Sequence, residues 1–444
     1  MKTAFIAAVL CLLHASTAFA QLVALTATDL TPQLATADQR WPQLAAGGGL
    51  YLAVWQEGEA MGGAKDTSIW AARVGADGKP MDPKGVLVCG VPGFQAYPAV
   101  TWTGTHFLVV WQDYRGGKDW DLYAARVTTD GKVLDPGGVA LVAVPGNQIY
   151  PTVASGGGKT LVVWSDVRET HVPQMYRLYG TFVTGTAAAT AGGAELGKAD
   201  WPLLLPLVGF DGTAFDVIAS QGTPGWATGT PFGLQVDLSG SAKPWKASFQ
   251  SHSYSFAADP ATGKALTFST AHWEHGAYQP YYLAALHDPK SGVVDGQLVY
   301  GLPPFVAPWN DIWSAVTFDG ASGVAVVEQV LIENAYAIDP PGHPKVDVDL
   351  IATRVDGSTG AVLDLPACPV FTGPGIGLQD VNASAACKTA RAATSPAGVK
   401  VAGELGIQER QPALASLGAR KSLLVYSRHA APGKYKLYGV VLSQ

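Results

Sequence analysis

Charge is scarce in this sequence. Asp, Glu, Lys and Arg together make up 14% of its 444 residues, against roughly a quarter in an average domain. The formal balance is −6, so there is no excess of positive charge with which to hold phosphate; nucleic acid and anionic membranes are not expected partners. Long apolar runs are also missing. The longest, "AFIAAVLCLL" near the N-terminus, is too short to anchor in a bilayer, so membrane insertion is not expected. Cysteine is limited to positions 11, 89, 368 and 387. There is no GxSxG elbow, no P-loop, no HExxH and no D-x-[DN]-x-[DN]-G run. No metal or cofactor is therefore expected.

Turn formers are abundant, with 52 glycines and 30 prolines. Combined with β-branched and aromatic residues, they indicate many short strands joined by tight turns, an all-β fold. Residues 1–20 have the features of a signal peptide: Lys2, a short apolar core, and Ala18 and Ala20 in an A-x-A pattern. The expectation is a secreted protein, periplasmic or extracellular, whose mature chain runs from 21 to 444 as one domain. Export permits disulfides. Cys368 and Cys387 share one Gly/Ala/Ser-rich stretch. Their bond would close a loop of about 20 residues, worth roughly 3 kcal/mol by chain entropy. Cys89, within the apolar "GVLVCGV", reads as a buried free thiol.

The chain repeats itself. "YLAVWQEG", "FLVVWQDYR", "TLVVWSDVR" and "SLLVYSRH" are followed by "SIWAARV", "DLYAARV", "RLYGTFV" and "KLYGVVL". Each unit opens alike: "RWPQLA", "AYPAVT", "IYPTVA", "DWPLLL", the weaker "SYSFAA" and "IWSAVT", and "RQPALA". Seven starts, most of them about 50 to 60 residues apart, fit propeller blades. Each unit reads as four strands, A to D. Strand B is a continuous apolar run suited to a strand covered on both faces, and the C–D turn is rich in Asp, Gly and Pro. The last unit stops after strand C, while the mature N-terminus resembles a strand D. We therefore expect a seven-bladed β-propeller of four-stranded antiparallel blades, closed by the N-terminal strand completing the last blade. One interval, Ser314 to Pro412, is nearly double. Its stretch at about 365–397 has no B-type run and no C-type strand, and reads as an insertion between strands C and D of blade six rather than as an eighth blade.

The repeat "VVWxDxR…DLYxxRV…GxVLD" resembles the blade repeat of secreted bacterial β-propeller proteins, mostly uncharacterised. The resemblance covers almost the whole mature chain, is strongest in the first three units, and implies fold and export. It implies no reaction and transfers no catalytic residue. The S-x-D-x-G-x-T-W Asp-box of sialidase propellers is absent. Propeller-fold polysaccharide lyases, which also use His, Tyr and Arg on one face, offer only a fold-level analogy.

In a propeller the B–C loops and D–A links share one face of the disc. Here the B–C loops vary most, and variable polar loops on a rigid scaffold are where binding usually resides. Five histidines, His171, His272, His275, His343 and His429, fall in these loops, and His252 lies on the same face; longer loops alone would also account for that. "AHWEHGAYQPYY" concentrates His272, Trp273, Glu274, His275 and Tyr278. His-x-x-His alone is a weak zinc signal, whereas His with Glu or Tyr suits acid–base work and Trp suits sugar stacking. Two functions follow. The first is a monomeric, non-catalytic propeller binding an extracellular glycan or protein ligand, with Trp273, Glu274, His171, Tyr176, Trp226, Arg428 and His429 as ligand contacts. The second is a carbohydrate-active lyase or hydrolase using His252, His272, His275 and Tyr278. By contrast, Asp113/Arg115 and Asp166/Arg168 recur at one repeat position, which marks them as scaffold. Trp55, Trp111, Trp164 and Tyr426, at the end of strand B, read as inter-blade contacts.

Overall fold

A computed structural model describes residues 22–34, 38–58, 66–168, 175–222, 230–245, 254–271, 281–299, 313–333, 345–365, 367–372, 399–402, 409–431 and 434–444. The described residues form strands and turns without a helix, so none contains a helix long and apolar enough to cross a membrane. The strands make seven antiparallel sheets. Blade 2 shows the pattern: strand A is Gln95–Trp102, B is Phe107–Asp113, C is Asp121–Val127 and D is Val139–Val142. The A strands of blades 1 and 3–7 are Gln39–Gly47, Gln148–Gly156, Leu203–Phe210, Tyr254–Asp259, Ser314–Phe318 and Glu409–Gly418. Each packs against the A strands of the blades before and after it, and Glu409–Gly418 packs against Gln39–Gly47. The ring is therefore closed, and the protein is a seven-bladed β-propeller.

Strand B has an apolar centre because both of its faces are covered. Every residue of Leu50–Glu57 and of Phe107–Asp113 is buried. Side chains alternate across a strand, so each B strand feeds two different cores. Phe107, Val109 and Trp111 join Leu52 and Val54 of blade 1. Leu108 and Val110 join Val162 and Trp164 of blade 3. Trp55 points the other way round the ring, toward Leu423 and Val425 of blade 7. Each fully buried side chain of this size contributes roughly 1.5–3 kcal/mol. The glycine of the C–D turn makes room for the tryptophan. A Cβ on Gly138 would lie 2.4 Å from Trp111, and one on Gly193 would lie 2.2 Å from Trp164.

The N-terminal segment closes blade 7, as expected. Val23–Ala24 and Thr28–Asp29 pair antiparallel with the final strand, Lys434–Ser443, while Leu22 and Leu30 are buried in the flanking cores. Residues 1–21, which include the expected signal peptide, lie outside the described residues.

One local assignment from the sequence differs from the structure. In blade 4 the strand that matches the other unit starts is "LLLPLV", with Leu205-Pro206 at the repeat position. The Trp201-Pro202 pair of "DWP" lies four residues upstream, in the D–A link, with Trp201 exposed. The apparent match came from a Trp-Pro pair just ahead of the Leu-Pro pair that occupies the repeat position. The insertion read at about 365–397 falls in the long connection between strand C of blade 6, Lys345–Val355, and its strand D, Val399–Ala402. It contains a strand of its own, Ala367–Thr372, which pairs with Val293–Val299 and so extends blade 5 rather than blade 6. Cys387 lies outside the described residues, and with it the expected bond to Cys368. Cys89 is free and buried.

Candidate functional site

The Asp-x-Arg motif at the end of strand B is scaffold. In a strand, residues i and i+2 share a face, which brings a carboxylate back to the indole two residues earlier. Trp111 Nε1 donates to Asp113 Oδ2 at 2.8 Å, and Trp164 Nε1 donates to Asp166 Oδ2 at 2.8 Å. In blade 1 the same role falls to Glu57, 3.0 Å from Trp55 Nε1. Arg115 neutralises Asp113 and donates to the Gly137 carbonyl at 2.9 Å. It also reaches Cys89 Sγ of blade 1 at 3.4 Å and covers the Tyr123 ring at 3.8 Å. Arg168 pairs with Asp166 and covers Tyr179 in the same way. A second repeated pair holds the C–D turn: Arg73–Asp82, Arg126–Asp135 and Arg354–Asp364 are bidentate in blades 1, 2 and 6.

The axial mouth is built from the X-Pro pair near the start of strand A. Trp41, Tyr97, Tyr150, Leu205 and Gln411 all precede proline, and all have φ between 51° and 57°. A left-handed conformation is rare for such side chains. Here it forms a β-bulge, since the pairing of strands A and B slips at each of these five points. The kinks are held from the preceding blade. Tyr150 N–H donates to Gln112 Oε1 at 2.9 Å, Gln411 N–H to Glu328 Oε1 at 2.6 Å, and Trp41 N–H to Gln411 Oε1 at 2.8 Å. Because the bulge lies beside the last residues of strand B, it sits at the B–C end of the axial channel.

The re-aimed rings meet one another. Trp41 and Tyr97 have centroids 5.1 Å apart, Tyr97 and Tyr150 are edge-to-face at 4.9 Å, and Trp41 and Trp313 are edge-to-face at 4.9 Å. Together with Leu205 and Tyr254 they line a pocket of about 150 Å³, and none of its described lining residues is charged. Burial raises the Tyr150 phenol above its ordinary value, opposed by a hydrogen bond with Tyr97. Burial likewise raises Tyr254, whose hydroxyl donates to the Leu205 carbonyl at 2.6 Å. At neutral pH these phenols are uncharged hydrogen-bonding groups, suited to hydroxyls rather than to proton abstraction.

Of the residues singled out in the sequence, Tyr176 lies near Tyr150, one of the residues lining this pocket. It lies on the blade 3 B–C loop, bonded by the Asn147 side chain and close enough to Tyr150 to perturb it; its own phenol is raised, chiefly by burial. Arg428 and His429 lie on the blade 7 B–C ribbon, paired in register with Lys436 and Tyr435. There Arg428 covers the Tyr438 ring at 5.0 Å and His429 meets Tyr435 edge-on at 5.4 Å. His171, Trp226, His252, His272, Trp273, Glu274, His275 and Tyr278 lie outside the described residues. His287 is buried in blade 5 against Thr267 Oγ1 at 2.9 Å, and burial pushes its pKa down to about 3. Among the described residues no group of His, Cys, Asp or Glu is placed to hold a metal.

The axial aromatics were visible in "RWP", "AYP", "IYP" and "IWS", but as markers of the repeat. A residue set by repeat position reads as scaffold, and only the closed ring shows that these positions converge.

The fold and its axial mouth define a seven-bladed propeller with an aromatic pocket, uncharged among its described lining residues. No family model and no curated protein matches the chain. Solved structures do. Trypanosoma rangeli sialidase is 8% identical at a TM-score of 0.47, over 95% of this chain and 59% of that one. Polysaccharide lyase Uly1 is 9% identical at 0.47, over 92% and 90%. A protein of unknown function from Dyadobacter fermentans is 10% identical at 0.41, over 96% and 100%. At such identities and scores the likeness says nothing about substrate or chemistry.

Proposed function

We propose that this chain is an exported, non-catalytic β-propeller that binds a neutral glycan at the axial mouth, on the face of its B–C loops and D–A links. One observation carries the reading: the kinked A strands of blades 1 to 4, with Tyr254 and Trp313, converge on a pocket whose described walls are mainly aromatic, aliphatic and phenolic, with no ionisable acid–base pair among the described lining residues. Aromatic faces take the apolar faces of a sugar ring, and neutral phenols can exchange hydrogen bonds with its hydroxyls.

The test is a calorimetric screen of neutral and anionic polysaccharides, with release of reducing ends followed in parallel. Binding of a neutral glycan without cleavage is expected. Trp41→Ala should weaken it by about tenfold or more, the loss of one stacked ring and its buried area. Cleavage that disappears in His272→Ala or His275→Ala would replace this reading with the enzymatic one.

A further inference from the structure

The axial pocket is small, and the aromatic surface continues outside it. Trp201 is 61% exposed, more than any other large apolar side chain among the described residues. It stands on the D–A link between blades 3 and 4, and that link is pinned on both sides. Leu203 N–H donates to the Tyr176 carbonyl at 2.9 Å, and Gly222 N–H donates to the Pro202 carbonyl at 3.0 Å. Pro202 is itself buried and fixes the backbone next to Trp201. The ring is therefore held out, mostly exposed, on a link fixed by these bonds.

The way from the pocket toward this ring runs over neighbouring tyrosines. Tyr97 bonds Tyr150, their rings edge-to-face at 4.9 Å, and Tyr176 lies near enough to Tyr150 to raise its phenol. The Tyr176 backbone in turn carries the link that bears Trp201. Asn147 steadies the middle of the path, bonding the Tyr176 side chain and accepting from Trp120 N–H at 3.1 Å.

We infer that the ligand is bound as an extended neutral glycan chain, with one sugar in the axial pocket and the chain running outward over Tyr176 to a second stacking position on Trp201. This rests on the axial reading above and adds a direction and a length requirement to it. An axial pocket alone would gain nothing from a longer ligand, whereas a track to Trp201 gains affinity once the chain reaches that ring.

Calorimetry on the full chain with cello-, manno- and maltooligosaccharides, from di- to hexasaccharide, separates the two. The parent should bind the hexasaccharide of its preferred ladder about tenfold or more tightly than the disaccharide, the worth of one further aromatic contact. Trp201→Ala should bring that ratio close to one, and Trp201→Phe should restore part of it. Trp201 is exposed, so unchanged melting will show that the variants fold. If Trp201→Ala keeps the parent ratio, the outer position is wrong and the axial pocket stands. If the parent binds no ladder at any length, the axial reading falls as well.

Discussion

At the scale of single residues, the molecule depends on buried charges in two different states. Asp113 and Asp166 are fully buried, each bonded to an indole and an arginine. Removing the carboxylate leaves both donors without it. Asp166→Ala should cost about 3 kcal/mol in chemical denaturation, and Trp164→Phe should cost less, since the Asp166–Arg168 pair survives. Asp216 is the opposite case. Its Oδ2 is buried without a hydrogen-bond partner, and its Oδ1 accepts from Gln235 at 2.9 Å. Burial, with Asp211 adding to it and Gln235 and Lys290 opposing, pushes its pKa up to about 7. The folded protein therefore favours the protonated form. This group's stabilising contribution is complete below its unfolded pKa near 4 and is lost as pH rises through about 7, with a cost of at most about 4 kcal/mol. Asp216→Asn should flatten the dependence of Tm on pH between 4 and 7 and raise Tm at pH 8. An unchanged pH profile would show that Asp216 is not the titrating group.

At the scale of elements, the turns explain most of the glycines that the repeat preserves. Gly193 and Gly158 both have φ of +73°, but a Cβ at 193 would meet Trp164 at 2.2 Å, whereas one at 158 would meet nothing within 4 Å. Gly158→Ala should therefore show only the left-handed strain, about 1–2 kcal/mol. Gly193→Ala should lose a further 1–3 kcal/mol or so from overpacking. Equal losses in urea denaturation would remove the steric reading of the C–D glycine. Strand B, the C strand and the Asp- and Gly-rich C–D turn were all legible, because each is dictated by local alternation and by residues a few positions apart. The blade 4 start was not. "DWP" and "LLP" compete at nearly the same place, and only strand pairing chooses Leu205. The added strand Ala367–Thr372 was hidden as well, since its partner, Val293–Val299, lies some seventy residues upstream in another blade.

At the scale of the whole molecule, stability rests on closure. Without the N-terminal segment, the last blade loses its D strand and Leu30 leaves a core shared by blades 7 and 1. Deleting residues 21–38 should give a protein that aggregates or melts far below its parent. Leu30→Ala alone should cost about 2–5 kcal/mol. A truncated chain that melts like the parent would show that the ring is held by the other contacts.

What the sequence by itself determined was the repeat and its consequences: four strands per unit, seven units, an incomplete last unit, and an N-terminus able to complete it. These follow from short-range patterns of burial, turn chemistry and charge. What only the tertiary structure decided was the site. Trp41 and Trp313 are separated by almost the whole ring in sequence, yet their rings lie 4.9 Å apart. Tyr176 and Trp201 belong to different connections that share one hydrogen bond. Such neighbours exist because the A strands meet around one axis when the ring closes, and no local pattern encodes a meeting of that kind.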